Sequence, residues 1–409
     1  MTHQTINTSR PRASSASSNS NPIGVPRRLG IGVAAILGAL AGCSTAPPPP
    51  LEAAPPRAEL PAPVSSQLPS VAPPGGSRWV AVGWEQLPGW SADRSGELWP
   101  ALQRGCERPA PGWSALCGQA RTAAPADDAA ARAWIMQRLQ PYQVVAPDGN
   151  ADGLLTGYFE PLIEASRTRR GTYQVPLYAV PADLGQRKPY WTRQQLDTLP
   201  AAQAALRGRE IAFVADPLDA LVLQIQGSGR LRIQGSDSRT QTVRLAFAGH
   251  NDQPYASVGR WLIEQGEIKP DGASWPAIKD WARRYPRRVQ EMLWANPRVV
   301  FFREEPLPDP NLGPRGAQGV PLTPGRSVAV DPKSVPYGTP LWLDSTEPLS
   351  SKPLQRLVMA QDTGSAISGA VRADYFWGWG EVAEAQAGRM KQPLRLWVLW
   401  PKTLPLLPR

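Results

Sequence analysis

Apolar positions along this chain come in short stretches, and many of them alternate with polar ones. Leu221-Val-Leu-Gln-Ile-Gln226, Thr242-Val-Arg-Leu-Ala-Phe247 and Leu394-Arg-Leu-Trp-Val-Leu399 send side chains to two faces in turn, the period of a half-buried strand. Helical spacing shows at Asp128–Gln140, at Ser257–Gln265 and at Trp275–Ala295, the last interrupted by Pro286, which lacks the N–H that a helix interior uses. With 47 Pro and 36 Gly cutting the chain into short pieces, the pattern predicts a mainly β protein with a few helices.

The N-terminal apolar run, Leu29–Leu40, follows Arg27 and Arg28. At about 12 residues it is too short for a bilayer span, which needs roughly 20, and it reads as the apolar region of a signal peptide. The run closes on Leu40-Ala-Gly-Cys43, small residues before a cut and a Cys after it, the pattern of a bacterial lipoprotein cleavage site. Residues 1–42 are therefore expected to be a signal peptide and Cys43 a lipidated N-terminus. An acyl anchor gains about 0.8 kcal/mol per buried methylene, and more than one chain makes it durable. Ser44, rather than an Asp, follows the Cys; by resemblance to other lipoproteins this places the protein at the outer membrane, facing the periplasm. Residues 43–78 hold eleven prolines between Pro47 and Pro74 and read as an extended linker, reaching up to roughly 100 Å at about 3.1 Å per residue. Cys106 and Cys117 remain, an even pair that in an exported chain reads as a disulfide.

The formal net charge is +10. Part of it lies in the leader, and the remainder suits an acidic polymer such as cell-wall glycan bearing carboxylates. Trp281-Ala-Arg-Arg-Tyr-Pro-Arg-Arg288 mixes basic and aromatic residues, as nucleic-acid binders do, but in an exported lipoprotein most of these arginines read as a solvated helix face and no nucleic-acid partner is expected. The two histidines are His3, in the leader, and His250. A conventional zinc site needs more nitrogen or sulfur ligands than that. There is no Gly-x-Ser-x-Gly elbow and no phosphate-cradling Gly-x-x-x-x-Gly-Lys loop. His250 lies in Ala248-Gly-His-Asn-Asp-Gln-Pro254, which reads as a loop and makes it a structural or substrate-contacting residue before a base. No metal and no cofactor are expected, and carboxylates are the leading chemical candidates.

They occur in one informative run, Val358-Met-Ala-Gln-Asp362-Thr-Gly-Ser-Ala-Ile-Ser-Gly-Ala-Val-Arg-Ala-Asp374-Tyr-Phe-Trp-Gly-Trp-Gly380. A strand-like stretch ends at Asp362 and aromatics follow Asp374. A carboxyl group desolvated among rings holds its proton near neutral pH and can do acid/base work on a sugar. The same residues also fit a plain strand-turn-strand in which Asp362 caps a Gly turn and Asp374 is solvated. Four further segments are unusual: Thr156-Gly-Tyr-Phe-Glu-Pro161; Gln224-Ile-Gln-Gly-Ser-Gly229, read as the end of an alternating strand; Tyr255-Ala-Ser-Val-Gly-Arg260, read as a helix start capped by Ser257; and Gly325-Arg-Ser-Val-Ala-Val-Asp331-Pro-Lys-Ser-Val-Pro-Tyr-Gly338. Each alone can be a turn, a bulge or a strand end.

Together, in this order, these segments resemble the membrane-bound lytic murein transglycosylase A family, with Ala248–Arg260, Asn296-Pro-Arg-Val-Val-Phe-Phe-Arg303 and Gly319-Val-Pro-Leu-Thr323 as further matches. The C-terminal part resembles the three-aspartate domain, with Asp331, Asp362 and Asp374 at the three positions. The resemblance implies a six-stranded double-psi β-barrel with a second, smaller β-rich domain inserted into it. Residues 79–165, with a helical region first, and 311–409 would build the barrel; 166–310 would be the insert; the substrate groove would run between the two. It implies cleavage of the β-1,4 bond from N-acetylmuramic acid to N-acetylglucosamine without water, giving a 1,6-anhydromuramyl end. Asp374 would be general acid and then base, with Tyr375, Phe376 and Trp377 desolvating it and Arg372 opposing the effect if it points the same way. Asp362 would position and add like charge, and Asp331 would be structural. Thr156, Tyr158, Glu160, Gln226, Ser228, Gly364 and Ala366 would contact the glycan strand. Wall-cutting enzymes often work beside synthases, so a cell-wall synthesis complex is a further expected partner. Ser365 departs from the family's usual second Gly; if that position needs positive φ, Ser costs roughly 1 kcal/mol. Two other classes fit some of these residues, a non-catalytic glycan-binding lipoprotein and an ordinary glycoside hydrolase. Product chemistry separates them.

Overall fold

The computed structural model describes residues 70–71, 76–234 and 240–405. The expected signal peptide, the lipidated Cys43 and most of the Pro-rich linker lie outside the described residues. Fifteen strands and ten α-helices are present among those described, a mostly β architecture with helices. No helix among them is long and apolar enough to cross a membrane.

In chain order the strands are β1 (Ser70–Val71), β2 (Arg78–Ala81), β3 (Leu139–Val145), β4 (Gly153–Glu160), β5 (Leu162–Ser166), β6 (Val175–Tyr178), β7 (Glu210–Val214), β8 (Ser228–Gln234), β9 (Thr240–His250), β10 (Val300–Glu305), β11 (Ser327–Val330), β12 (Pro340–Thr346), β13 (Pro353–Asp362), β14 (Arg372–Trp379) and β15 (Lys391–Pro401). They form two sheets. The first runs β1-β2-β3-β15-β12-β13-β11-β14-β4, and an additional pairing of β4 with β15 closes six of its strands into a ring. The second runs β10-β9-β8-β5-β7-β6. All strands of the second sheet come from one continuous stretch between β4 and β11, so the chain leaves the first sheet after Glu160 and returns before Ser327. The end of the expected linker belongs to the fold, since Ser70 and Val71 pair with Val80 and Trp79.

The ring strands are buried on both faces where they are most apolar. Leu341–Leu343 of β12, Leu357–Ala360 of β13 and Leu396–Trp400 of β15 are nearly inaccessible. Tryptophans fill the space between this ring and the N-terminal helices. Trp90 meets Trp342 edge-on at 5.2 Å, and Trp113 meets Trp400 at 5.6 Å, arrangements that suit the ring quadrupole. Helices α1 (Trp99–Gly105) and α2 (Ser114–Thr122) are joined by the Cys106–Cys117 disulfide, as expected. The second sheet has its own core, including Leu223, Leu231, Ile233, Val243, Leu245 and Phe302.

Helix α3 (Asp128–Arg138) forms where helical spacing predicts it, with the Asp127 carboxylate accepting from the Ala130 N–H at 2.8 Å. After α4 (Arg193–Thr198) and α5 (Pro200–Leu206) comes one correction. The Leu221–Gln226 stretch is no strand; it belongs to α6 (Pro217–Gln226). Apolar residues sit at 218, 221, 222 and 225, a helical spacing that the local alternation of 221, 223 and 225 masks. Asp216 caps the start by accepting from Leu218, Pro217 occupies the first turn, and Gly227 at φ 78° ends the helix by donating to Leu223. Gln224–Gly229 is therefore a helix end turning into β8. The two other helical expectations hold: α7 (Val258–Glu264) is capped by Ser257, and α8 (Trp275–Arg284) and α9 (Val289–Trp294) are separated by a 3-10 turn at Pro286. Helix α10 (Gly380–Ala387) follows β14 and packs Ala383 and Ala387 against Phe159 and Val222, joining the two sheets.

Candidate active site

Three neighbouring strands bring the two expected carboxylates together. In the register of the first sheet, Ala329 of β11 is the partner both of Asp362 at the end of β13 and of Asp374 in β14. The small methyl of Ala329 leaves the space between the carboxylates open. Asp374 pairs on its other side with Thr156 of the parallel strand β4. Residues from both halves of the first sheet thus meet despite some two hundred intervening residues.

The hydrogen bonds distinguish the two acids. Asp362 Oδ1 accepts from the Ala317 N–H at 2.9 Å and Oδ2 from the Tyr158 hydroxyl at 3.0 Å. Asp374 Oδ1 accepts from the Thr156 hydroxyl at 2.6 Å, and Arg372 Nη2 donates to that same hydroxyl oxygen at 2.8 Å. Because Thr156 accepts from Arg372, its own proton is directed at Asp374. Both carboxyls open onto a cleft and are otherwise enclosed by protein. Burial pushes Asp374 up from the usual 3.8 to about 6; Thr156 and the Arg372 charge pull the other way, and Asp362 adds to the rise. Burial also raises Asp362, against hydrogen bonds from Thr363, Ala317 and Tyr158. Tyr158 is raised well above its usual range by burial and by both carboxylates, so it stays a donor.

The aromatic cluster after Asp374 does not act as a unit. Strand alternation sends Tyr375 and Trp377 to the face opposite Asp374, where Tyr375 donates to Gly325 O at 2.9 Å and Trp377 to Met390 Sδ at 3.2 Å. Phe376, fully buried, is the ring on the Asp374 face, and it packs on Tyr158 at 5.1 Å. Arg372 shares that face too, so the opposition foreseen from its charge is present.

The cleft has a volume of about 680 Å³ and runs between the two sheets. Tyr158, Gln226, Ser228, Gly364 and Ala366, all expected to contact glycan, line it. Gln226 also accepts from the Phe159 N–H at 3.1 Å, tying the end of α6 to β4. Gly157 must be small, because a Cβ there would lie 2.7 Å from Trp377 Nε1 and 3.0 Å from the Ala387 backbone. Thr156 sits behind Asp374 as its hydrogen-bond donor. Glu160 is placed differently from expectation: it is 0% exposed, bonded to Arg230 Nε at 2.7 Å and Arg244 Nε at 2.5 Å. Both arginines also donate to Leu312 O, and Arg230 stacks 3.9 Å from Trp379. This cluster stands where the chain leaves the first sheet and returns to it. Asp331 accepts from Lys333 N at 3.0 Å and Gly369 N at 2.9 Å, fastening the loop that follows Asp362. Ser365 carries no strain, since the non-glycine residues with positive φ among those described are Asp252 and Leu349.

Several cleft residues were not singled out in the sequence. Ile225, Phe247 and Tyr255 expose 40%, 46% and 37% of their surface and line the cleft beside Arg298, Arg303 and Arg315. Exposed apolar side chains gathered in one groove suit the faces of sugar rings. Most of them stand in segments whose motif was noticed, but only three-dimensional placement shows which side chains face the groove. Among the described residues no three His, Cys, Asp or Glu side chains gather as metal ligands do.

Comparison with known proteins adds independent observations. The MltA specific insert domain matches residues 154–303 and the 3D domain matches residues 326–400. The membrane-bound lytic murein transglycosylase A of Vibrio cholerae is 32% identical over 269 residues, 64% of this chain and 69% of that protein. Among solved structures, the lytic transglycosylase LtgG of Burkholderia pseudomallei is 45% identical, covering 82% of this chain and 100% of its own, with a TM-score of 0.57. MltA from Neisseria gonorrhoeae is 31% identical over 83% of this chain and 97% of its own, with a TM-score of 0.71.

Proposed function

The chain belongs to the membrane-bound lytic murein transglycosylase A family, and from that premise we propose how its cleft cuts peptidoglycan. The protein is a peptidoglycan lytic transglycosylase, a lyase of the cell envelope. The bond cut is the β-1,4 link from N-acetylmuramic acid to N-acetylglucosamine. The observation that carries the mechanism is the Asp374 carboxyl, pushed up to about 6 at the floor of the cleft, with one oxygen held by Thr156 and Oδ2 left to carry the proton.

Protonated Asp374 donates to the departing O4 as the C1–O4 bond breaks. The electron pair leaves with O4, and positive charge develops at C1 and the ring oxygen. The muramyl C6 hydroxyl then attacks C1, and its proton passes to the Asp374 carboxylate. The acid is regenerated, no water is consumed, and a 1,6-anhydro end forms. One carboxyl near the operating pH can serve both steps. Asp362 is the poorer base, because both its oxygens already accept hydrogen bonds; its charge suits the positive transition state. Tyr158, Gln226, Ser228, Gly364 and Ala366 contact the strand, Thr156 positions the acid, and Asp331 holds the loop.

The closed ring of six strands is read as the double-psi β-barrel of the family, with the stretch between β4 and β11 as its insert, expected at 166–310 but taking in β5 (Leu162–Ser166) as well. Lipidated Cys43 would anchor the enzyme in the outer membrane with its cleft in the periplasm, and the linker would let it reach the wall beside a synthesis complex. The test is release of soluble fragments from purified murein sacculi by wild type, Asp374→Asn and Asp362→Asn. General acid/base work is worth about 10² to 10⁴ in rate, so Asp374→Asn should lose at least a hundredfold and Asp362→Asn less. Equal activity of Asp374→Asn and wild type would remove Asp374 from the mechanism.

A further inference from the structure

Arg298 differs from the other arginines of the cleft in what its guanidinium does. Its Nε donates to Gln253 O at 2.8 Å, which fixes the plane of the group. Among the described residues, its two terminal nitrogens make no hydrogen bond and no carboxylate pairs with it. Arg303 is engaged by Glu305 at 2.7 Å and by the Phe247 carbonyl. Arg315 Nη1 donates to Gly319 O at 2.9 Å. Arg298 thus presents an anchored fork, with no protein partner for its terminal nitrogens among the described residues, to a cleft whose lining acids, Asp362 and Asp374, belong to the first sheet.

His250 stands beside it. Its Nδ1 accepts from the Asp252 N–H at 3.0 Å, so the neutral ring carries its proton on Nε2. Burial and the Arg298 charge lower its pKa, against the Asp252 carboxylate 3.4 Å from Nδ1. Asp252 adopts φ 54°, a left-handed turn that Asp tolerates better than most residues. Next to this pair the exposed rings of Phe247 and Tyr255 line the same cleft. A planar guanidinium fork with its two terminal groups free matches a carboxylate bidentately.

We propose that Arg298 and the Nε2–H of His250 form a subsite for a carboxylate carried by the glycan strand. It makes the cleft prefer strands containing muramic acid to neutral chitin-like ones. This rests on the transglycosylase reading above. The anion is either the lactyl carboxylate of a peptide-free muramyl residue or a carboxylate of the stem peptide attached there; both present the same group to the fork.

The test uses the full chain in detergent, as wild type, Arg298→Met and His250→Phe, each checked for an unchanged melting temperature. Dissociation constants are measured for chitohexaose and for glycan strands stripped of peptides by an amidase, and KM and kcat for anhydro-product release from stripped and peptide-bearing strands. Arg298→Met should reduce the preference for stripped strands over chitohexaose roughly tenfold, with the loss of activity carried by KM rather than kcat. If the loss appears only with peptide-bearing strands, the stem peptide supplies the anion. His250→Phe should move the same ratio by a smaller factor, which keeps the proposal testable if Arg298→Met does not fold. An unchanged ratio on both kinds of strand, or an equal loss on chitohexaose, overturns the subsite. Absence of anhydro products from wild type would instead sink the parent reading, which the chitohexaose comparison does not depend on.

Discussion

Burial raises the Asp374 pKa, and the largest opposing influence is a hydrogen bond that a single isosteric change removes. In Thr156→Val the side chain keeps its volume and loses the hydroxyl that donates to Asp374 Oδ1 at 2.6 Å. A hydrogen bond to a charged group contributes about 1.5–3 kcal/mol, and about 1.36 kcal/mol corresponds to one pH unit. The bond favours the carboxylate, so its loss raises the Asp374 pKa from about 6 by roughly 1 to 2 units. Arg372, which reaches Asp374 through the same hydroxyl, loses that acceptor; its charge still favours the carboxylate, while Asp362 opposes it and Tyr158 stays neutral. Asp374 must be protonated to cleave, so the alkaline limb of kcat/KM reports its free-enzyme pKa. The assay is kcat/KM against pH on solubilised glycan strands. Wild type should fall off above about pH 6, and Thr156→Val at least about one unit higher, with Arg372→Met displaced in the same direction. A limb that stays in place, or moves to lower pH, refutes the reasoning, whatever happens to the absolute rate.

Further consequences concern stability. The folded pKa of Asp374 lies above its ordinary 3.8, so the fold favours the protonated form. Stability is lost as pH rises between about 4 and 6, by roughly 3 kcal/mol at most. Asp374→Asn should therefore melt several degrees higher than wild type at pH 7 and no higher near pH 3.5, while losing activity; equal melting at both pH values contradicts this. Glu160→Gln leaves Arg230 and Arg244 buried without their carboxylate and should cost about 3–5 kcal/mol in urea unfolding; a loss below 1 kcal/mol would show that the Leu312 carbonyl compensates. Replacing Cys106 and Cys117 together by Ala opens a short loop in the N-terminal helices and should cost roughly 3 kcal/mol, read as a lowered melting temperature, with the pH profile of activity unmoved.

Local chemistry was legible where one segment decides its own structure. The cap at Ser257, the break at Pro286 and the Cys106–Cys117 bridge depend on neighbours in sequence or on short loops. The Leu221–Gln226 stretch misled because alternation over six residues also fits part of a helical stripe; Asp216-Pro217 before it and Gly227 after it were the stronger signals. The roles of Glu160, Tyr375 and Trp377 depend on which strand face a side chain takes, and a one-residue change of register reverses every face. Arg298 stood in a recognised segment, but its orientation depends on the Gln253 carbonyl, which comes from the turn after β9; the Ala248–Pro254 stretch read as a loop begins as the end of that strand, with His250 its last residue. The family resemblance supplied the pairing of Asp362 with Asp374, and the shared partner Ala329 gives it a physical basis.

The central claim is that one carboxyl, Asp374, passes a proton out and back while the substrate closes on itself. Digesting murein sacculi in ¹⁸O-labelled water and weighing the released muropeptides tests it most directly. The account predicts anhydromuramyl ends without ¹⁸O from wild type and no fragments above background from Asp374→Asn. Muramyl reducing ends carrying ¹⁸O from the wild type would show that water is the nucleophile and contradict it.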